Sequence, residues 1–280
     1  MKKPMPTSVG QPVCLSIAGL DPSGGAGIIA DIKTFAAFRC YGAAVVTSVT
    51  FQNTQGVFGA VNQSASSVER QTRAVLDDIA ADAVKTGMLP TRAIIAAVAR
   101  VLAEYEVKHL VVDPVVRSTS GYDLIDDAAL RSLTTKLFPL AAIVTPNVPE
   151  AERIARMTIR SQRDLRHAAE AMLSMGAERV LIKGGHYARE SRRGRAVDHL
   201  FSQGGDCETF EAEFIKTRAT HGTGCTLASA IAAGLARGSE VETAVAEAKS
   251  FVSRAIASAP MLGRGHSPID HLAGRIPIVN

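Results

Sequence analysis

Residues 220–226 have the composition of an anion-binding turn. They read Thr-His-Gly-Thr-Gly-Cys-Thr, and a long run of small apolar residues follows, which predicts a glycine-rich turn leading into a helix. Glycines let backbone N–H groups converge on one point, and the helix dipole adds partial positive charge there. An anion, or a transition state that gains negative charge, would fit at this point, near Gly222, Thr223 and Gly224.

Cys225 comes directly after these three residues and would lie in the first turn of the helix. The field at a helix N-terminus favours a thiolate, so we expect a lowered pKa and a cysteine that can accept a proton. The same stretch is equally compatible with an ordinary helix start that holds a small buried cysteine. This stretch alone does not distinguish a reactive cysteine from an ordinary helix start, so the rest of the sequence is needed.

Two turns nearer the N-terminus have the features of ligand-binding loops. Residues 19–27 (Gly-Leu-Asp-Pro-Ser-Gly-Gly-Ala-Gly) follow an apolar run, and their glycines would let a ligand approach the backbone. They match neither the dinucleotide fingerprint nor a Walker loop. Residues 50–56 contain Gln52 and Asn53, whose amides can both donate to and accept from a heteroaromatic edge. Either segment could also be an ordinary turn.

A charged side chain lies at or just after the carboxyl end of each of three further predicted strands. Asp113 could reach a metal or cap the loop that follows. Glu150 stands near a helix start with Asn147, where an acid can hold Mg²⁺ or favour the helix dipole, and this segment alone favours the capping role. Lys183 precedes two glycines and can offer charge and backbone to a phosphate.

Short apolar runs alternate with amphipathic segments along the whole chain. This alternation predicts an α/β fold with a doubly wound, mostly parallel sheet and helices on both faces. The carboxyl ends of parallel strands share one edge, so the turns described above would line a single cleft. The predicted strands are 13–18, 42–51, 57–62, 83–87, 109–112, 142–145, 179–182, 197–201 and 207–213; the predicted helices are 28–38, 66–80, 91–105, 126–137, 163–175 and 241–257, with others after Glu150 and Cys225.

The composition favours one large α/β domain, residues 1–280, with a loose leader at 1–11. The chain is 46% apolar, carries a net charge of +4 and has four cysteines without metal or disulfide spacing, which favours a reducing cytoplasm. No apolar run has the length of a membrane span. Basic residues cluster only at 189–195, so we expect neither a membrane nor a nucleic-acid partner.

These motifs together resemble the hydroxymethylpyrimidine/phosphomethylpyrimidine kinases of thiamine biosynthesis, within the ribokinase-like superfamily. Each motif is short, but their combination and order are specific, and they span the chain from about residue 13 to residue 271. The resemblance implies a ribokinase-like fold with a small β flap near the cleft, and a homodimer. The matching segments are 18–27 with 30–35, 52–54, 85–89, 113–115, 145–151, 183–186 and 220–227.

The resemblance also implies the reaction and the site. ATP with Mg²⁺ would phosphorylate a small pyrimidine alcohol and then its monophosphate, with Cys225 where related sugar kinases have an aspartate base. Asp113 and Glu150 would serve the metal. The pyrimidine pocket would consist of Gly19, Asp21, Ala26, Asp31, Thr50, Gln52 and Met88, and ATP would contact Asn147, Lys183, Thr220 and Lys249.

Two other functions stay open at this point. A pyridoxal kinase of the same superfamily is similar in its motifs, and a ligand-binding sensor could keep the fold without catalysis. Phe51, residues 117–119 and the basic segment 189–195 depart from the family pattern. These departures leave the exact substrate open but not the reaction class.

Overall fold

The computed structural model describes residues 10–116, 124–184 and 194–273, which form a single nine-stranded sheet covered by helices. Three features of the sequence analysis lie wholly or mostly outside these ranges: the leader, the polar loop 117–121 and the basic segment 189–195. Gly185 and His186 of the lysine-glycine motif also lie outside them.

The elements alternate as the sequence pattern predicts. The strands are β1 (Val13–Leu20), β2 (Tyr41–Asn53), β3 (Gly56–Asn62), β4 (Ala83–Thr86), β5 (Leu110–Val112), β6 (Ile143–Val144), β7 (Arg179–Lys183), β8 (Arg195–Ser202) and β9 (Cys207–Glu213). The helices are α1 (Gly27–Ala37), α2 (Ala65–Leu76), α3 (Arg92–Glu104), α4 (Asp127–Ser132), α5 (Val148–Ala155), α6 (Gln162–Ser174), α7 (Thr223–Ala236) and α8 (Val241–Ala257).

The sheet has the order β3-β2-β1-β4-β5-β6-β7-β8-β9. Strands β1, β2 and β4 to β7 are parallel, whereas β3 and β8 run antiparallel to their neighbours. Strand β9 is antiparallel to β8 and so points the same way as the parallel group. The carboxyl ends of these seven strands therefore share one edge, where the six predicted turns meet. The β2–β3 hairpin is the predicted flap.

Alternate residues of the strands supply two apolar layers. One layer contains Leu15 and Ile17 and packs against α2, α3 and α4 to α6. The other contains Cys14, Val111 and Ile143 and packs against α1, α7 and α8. Both faces of the central strands are buried, as expected for a doubly wound sheet. Among the described residues no helix is long and apolar enough to cross a membrane.

Two predicted helices end earlier than the sequence pattern indicates. The segment 126–137 is regular only as α4; it continues as a π-helical turn at Leu133–Leu137 and a 3₁₀ turn at Phe138–Leu140, because Pro139 cannot donate to a helical ladder. Helix α2 stops at Leu76, and the Ile79 N–H still reaches the Val75 carbonyl at 2.7 Å. The predicted helix end at residue 80 was therefore one turn too long.

Helix α7 is buried almost all round, between the sheet, α1 and α8. Gly234 lies where it crosses α8, and a Cβ at this position would be 2.8 Å from the Cβ of Ala244. The two helices therefore approach closely because Gly234 has no side chain.

We expect Gly234→Ala to destabilise the protein by about 1 kcal/mol. Alanine gains about 1 kcal/mol in helix propensity over glycine, but overpacking a tight contact costs about 1–3 kcal/mol. Urea unfolding measures the difference, and the double variant Gly234→Ala/Ala244→Gly should recover most of it because it restores the space. A more stable single variant would mean that the crossing is looser than the geometry indicates.

Candidate active site

A cavity of about 860 Å³ opens at the carboxyl edge of the sheet. Its wall contains every predicted site residue except Asp31. The predicted substrate residues on it are Gly19, Asp21, Ala26, Thr50, Gln52 and Met88; the others are Asp113, Asn147, Glu150, Lys183, Thr220, Gly222, Thr223, Gly224, Cys225 and Lys249. The topology thus brings six separate turns to one cavity.

Residues 220–226, the anion turn, lie at the start of α7 and have the predicted form. Gly222 has φ +82°, and its carbonyl accepts the Thr226 N–H at 2.9 Å. The N–H groups of Gly224 and Cys225 find no acceptor among the residues that the structure describes. These are the free donors of a helix N-terminus, and they point to where an anion would bind.

Glycines let the anion turn dock directly on the turn at 19–27. A Cβ on Gly222 would be 1.8 Å from the Gly25 carbonyl oxygen, and a Cβ on Gly25 would be 2.4 Å from the His221 ring. The backbone of Gly27 is close enough to Cys225 to lower the pKa of its thiol. The two turns are therefore in backbone contact at the residue expected to do the chemistry.

Asp21 and His221 join the same two turns. The His221 Nε2 lies 2.7 Å from Asp21 Oδ2, and the buried carboxylate also accepts the N–H groups of Ser23 at 2.8 Å and Ala26 at 2.9 Å. Burial alone would raise the pKa of Asp21, but hydrogen bonds from His221, Ser23 and Gln52 lower it to about 2. Asp21 is thus an internal anchor, and the sequence analysis assigned His221 no role.

Cys225 differs electrostatically from the expectation. Burial raises the pKa of its thiol to about 11; the charge of Lys85 opposes this, while those of Asp113 and Asp31 add to it. The predicted lowering of the pKa by the helix N-terminus was therefore wrong for the protein without ligand, because desolvation of the thiolate outweighs the helix field.

Asp31 lies behind the cavity wall rather than on it, so its assignment to the pyrimidine pocket is corrected. It is fully buried and binds Lys85 Nζ at 2.9 and 3.0 Å, Ser16 Oγ at 2.5 Å and Ser229 Oγ at 2.7 Å. Its partner Lys85 does line the cavity. A buried aspartate needs such partners, and none of them is adjacent in sequence.

One charged part of the cavity wall consists of Asp113, Lys183 and Glu150. Lys183 Nζ binds Asp113 Oδ1 at 2.9 Å. Burial raises the pKa of Glu150 to about 7; Lys183 lowers it and Asp113 raises it further. Glu150 also forms a capping box with Asn147, with bonds of 2.8 and 2.9 Å, so the capping role of both residues is confirmed.

These carboxylates suit a hard divalent cation. Glu150 and Asp113 repel each other enough to shift the pKa of Glu150, and a cation between them would relieve this. No cluster of three or more potential protein ligands occurs in the described part of the chain.

Lys249 reaches the cavity from α8 but is held by Asp198 of β8 at 2.8 Å. The same carboxylate accepts the Gly184 N–H at 3.0 Å. Asp198 therefore connects Lys249 to the turn after Lys183. The sequence offered only a weak signal for Asp198, a carboxylate in the first half of a strand of mixed polarity.

The substrate end of the cavity is narrow and mixed in polarity. A Cβ on Gly19 would be 3.1 Å from the Met88 sulfur, and Thr50 Oγ1 is turned away to the Leu20 carbonyl at 2.9 Å. The far end is apolar, with Ile215 following β9 and Val252 and Ile256 on α8. Such a surface suits a flat aromatic base. The sequence analysis missed these three residues because they have the pattern of an ordinary core face.

The family model for phosphomethylpyrimidine kinase matches residues 21–270. The chain is 44% identical over 271 residues to the hydroxymethylpyrimidine/phosphomethylpyrimidine kinase of Streptomyces coelicolor, covering 97% of this chain and 98% of that protein. It is 45% identical over 258 residues to the thiamine biosynthesis bifunctional protein ThiED of Geobacter sulfurreducens, where the match covers 92% of this chain but only 52% of that protein.

A solved structure has the same architecture. An ADP complex of Bacillus subtilis pyridoxal kinase aligns with a TM-score of 0.85 at 35% identity, covering 94% of this chain and 98% of that one. The fold therefore has an experimental counterpart.

We expect Gly222→Ala to weaken the binding of a non-hydrolysable ATP analogue by roughly tenfold or more, measured by calorimetry. The added methyl group would collide with the Gly25 carbonyl and displace the anion turn. Gly204→Ala is the matched control, because Gly204 also has positive φ, +105°, but has open space around it in the β8–β9 turn. Equal affinity in both variants would contradict the expected collision.

We expect Asp21→Asn to lower the free energy of unfolding by about 2 kcal/mol at pH 7. The folded pKa of about 2 lies below the ordinary 3.8, so Asp21 stabilises the fold above pH 3.8, and this contribution is lost as the pH falls towards 2. The deficit should halve to about 1 kcal/mol at pH 3 in urea unfolding. Asp206→Asn, in the exposed β8–β9 turn, is the control. A deficit that does not change with pH would exclude the ionised carboxylate as its source.

Proposed function

Because the chain belongs to the phosphomethylpyrimidine kinase family, we propose that it transfers the γ-phosphoryl group of ATP to 4-amino-5-hydroxymethyl-2-methylpyrimidine and then to the resulting monophosphate, in thiamine biosynthesis. The observation that supports this most directly is the anion turn of α7, which meets a cysteine and a lysine–carboxylate pair in one cavity. Phosphoryl transfer needs positioning and charge neutralisation more than covalent chemistry.

The anion turn receives the phosphoryl group as it moves. The free N–H groups of Gly224 and Cys225 stabilise the charge on its oxygens. Lys183 lies beside them, since a Cβ on Gly224 would be 3.3 Å from its Nζ. Asp113 and Glu150 would hold Mg²⁺, which neutralises triphosphate charge when bound.

Cys225 serves the alcohol step. With a pKa of about 11, its thiol is protonated at neutral pH in the protein without ligand, so it is no resident thiolate. A thiol cannot take up a second proton, so we expect only the thiolate form of Cys225 to act as the base. Its S–H proton is lost to solvent first, and the thiolate then accepts the alcohol proton late, as the oxygen–phosphorus bond forms. A loose transition state makes only a modest demand on such a base.

The other assigned residues divide between the two ligands. Gln52 and Met88 face the pyrimidine side, together with the backbone of Gly19 and Ala26. Asn147 and Thr220 lie near the phosphates. Lys249 acts mainly through Asp198, which orients the Gly184 N–H.

Pyridoxal kinase activity is the second candidate. It is supported by the Bacillus subtilis pyridoxal kinase, which has the same architecture at 35% identity. The full-length relative of higher identity is named for the pyrimidine reaction, which favours that substrate. Parallel assays with both alcohols, compared by kcat/KM, decide between them.

We further propose that the chain is one cytoplasmic kinase domain that acts as a homodimer. Four large apolar side chains of the β2–β3 hairpin and the start of β2 are more than half exposed, which suits contact with a second copy. They are Tyr41, Phe51, Phe58 and Val61.

The decisive experiment follows the reaction by phosphorus NMR with the pyrimidine alcohol, ATP and Mg²⁺. The monophosphate should appear first and the diphosphate later, each with ADP. Omitting Mg²⁺ should stop both steps. No ATP consumption with either the pyrimidine or pyridoxal would favour the sensor instead.

We expect Cys225→Ala to slow the alcohol step by about 10²- to 10⁴-fold and the monophosphate step much less. An alcohol must lose a proton as it attacks, whereas a phosphate is already anionic. Initial rates with each acceptor measure the two steps separately. Cys207→Ala is the control, because Cys207 is exposed at the start of β9. Equal losses in both steps would contradict this division.

A further inference from the structure

Lys85 is a charged residue in an apolar layer. It is fully buried on β4 and pairs in register with Ser16 of β1 and Val111 of β5. Its neighbours in this layer of the sheet, such as Ala83 and Ile143, are apolar. A buried ion pair at such a position commonly stabilises no better than well-packed apolar residues, so stability alone does not explain Lys85.

The ammonium group is held so that one donor stays available. Lys85 Nζ uses two bonds, of 2.9 and 3.0 Å, on the two oxygens of Asp31. An ammonium has three N–H donors, and within the described residues Nζ finds no third acceptor. Asp31 in turn is fixed by Ser16 and Ser229.

The lysine lies directly beneath the reacting position. Ser229 and Cys225 are four residues apart on α7 and so share one helix face. Since Ser229 binds Asp31 at 2.7 Å, this face puts Cys225 one turn above the ion pair. Gly87 leaves room beside the amine, as its Cβ would be 2.9 Å from Nζ, and Lys85 lines the cavity.

The second substrate brings a charge that the first does not. Its phosphate adds close to two negative charges to a cavity that already contains Asp21, Asp113 and Glu150. Lys183 is bonded to Asp113 and adjoins the anion turn, where ATP would need it, and Lys249 is bonded to Asp198. All three lysines keep unused N–H donors, since among the described residues Nζ of Lys183 and of Lys249 makes one bond each. Lys85 differs from the other two in its place beneath Cys225, away from the groups that ATP would need.

We propose, on the basis of the proposed function, that Lys85 binds the phosphate of the monophosphate acceptor and so makes the second phosphorylation possible. An oxygen of that phosphate forms the new bond to the γ-phosphorus of ATP while the bond to the ADP oxygen breaks. The acceptor oxygen is already anionic, so no base removes a proton. Asp31 is a positioning residue that keeps the ammonium charged and aimed at the cavity.

The test compares both acceptors in the variant Lys85→Met. We expect KM for the monophosphate to rise roughly ten- to hundredfold, the effect of losing a charge-assisted hydrogen bond, while KM for the alcohol changes less than about threefold. Lys85→Arg should retain much of the monophosphate step because it keeps the charge.

A second variant distinguishes a loss of phosphate binding from a failure to fold. Lys85→Met leaves Asp31 buried without its cation, so Asp31→Asn/Lys85→Met removes both charges and should fold while keeping the same selective defect. Lys136→Met, on an exposed lysine, is the control and should leave both steps unchanged. Cys225→Ala should show the opposite selectivity, with the alcohol step impaired.

The outcomes separate the two proposals. If the unaltered protein phosphorylates no pyrimidine alcohol, the proposed function fails. If it performs both steps but the double variant loses both equally, or neither, the role of Lys85 is overturned. Selective loss of the monophosphate step in the double variant supports it.

Discussion

The carboxylate of Asp31 fixes the arrangement on which the site depends. It contacts the ammonium of Lys85 and the hydroxyls of Ser16 and Ser229, which come from β4, β1 and α7. A buried carboxylate that loses such partners is strongly destabilising, so α1 and α7 can dock on the sheet in one register only. That register determines where the N-terminus of α7, and with it Cys225, stands relative to the strand ends.

Three buried carboxylates of the cavity each have a side-chain partner. Asp21 is joined to His221, Asp113 to Lys183 and Asp198 to Lys249, each within 2.7–2.9 Å. The two lysines are thus held in place before any ligand arrives, which limits the reorganisation needed during catalysis. An incoming phosphate has to share each cation with a carboxylate already bound to it. This moderates affinity and favours release of the charged products.

The sequence was sufficient for the fold and for most of the cavity wall. Alternation of apolar runs predicted the sheet, and the rule that parallel strands share a carboxyl edge brought Gly19, Gln52, Asp113 and Cys225 to one place. The pairing of buried polar groups was not predictable, because Asp31 meets Lys85 and Asp21 meets His221 across long separations in the chain. The pKa of Cys225 was mispredicted because a helix terminus is visible in the sequence, whereas the depth at which the thiol is buried is not.

The reversed direction of β8 means that α7 can begin at the catalytic edge only when the number of strands between β7 and α7 is even. Strand β8 runs away from the catalytic edge and β9 returns to it, so the chain re-enters the site only after two reversals. A lineage that gained or lost one strand here would deliver the segment containing Cys225 to the opposite rim of the sheet. Insertions and deletions between β7 and α7 should therefore survive only as whole hairpins, which makes this region variable in length but fixed in direction.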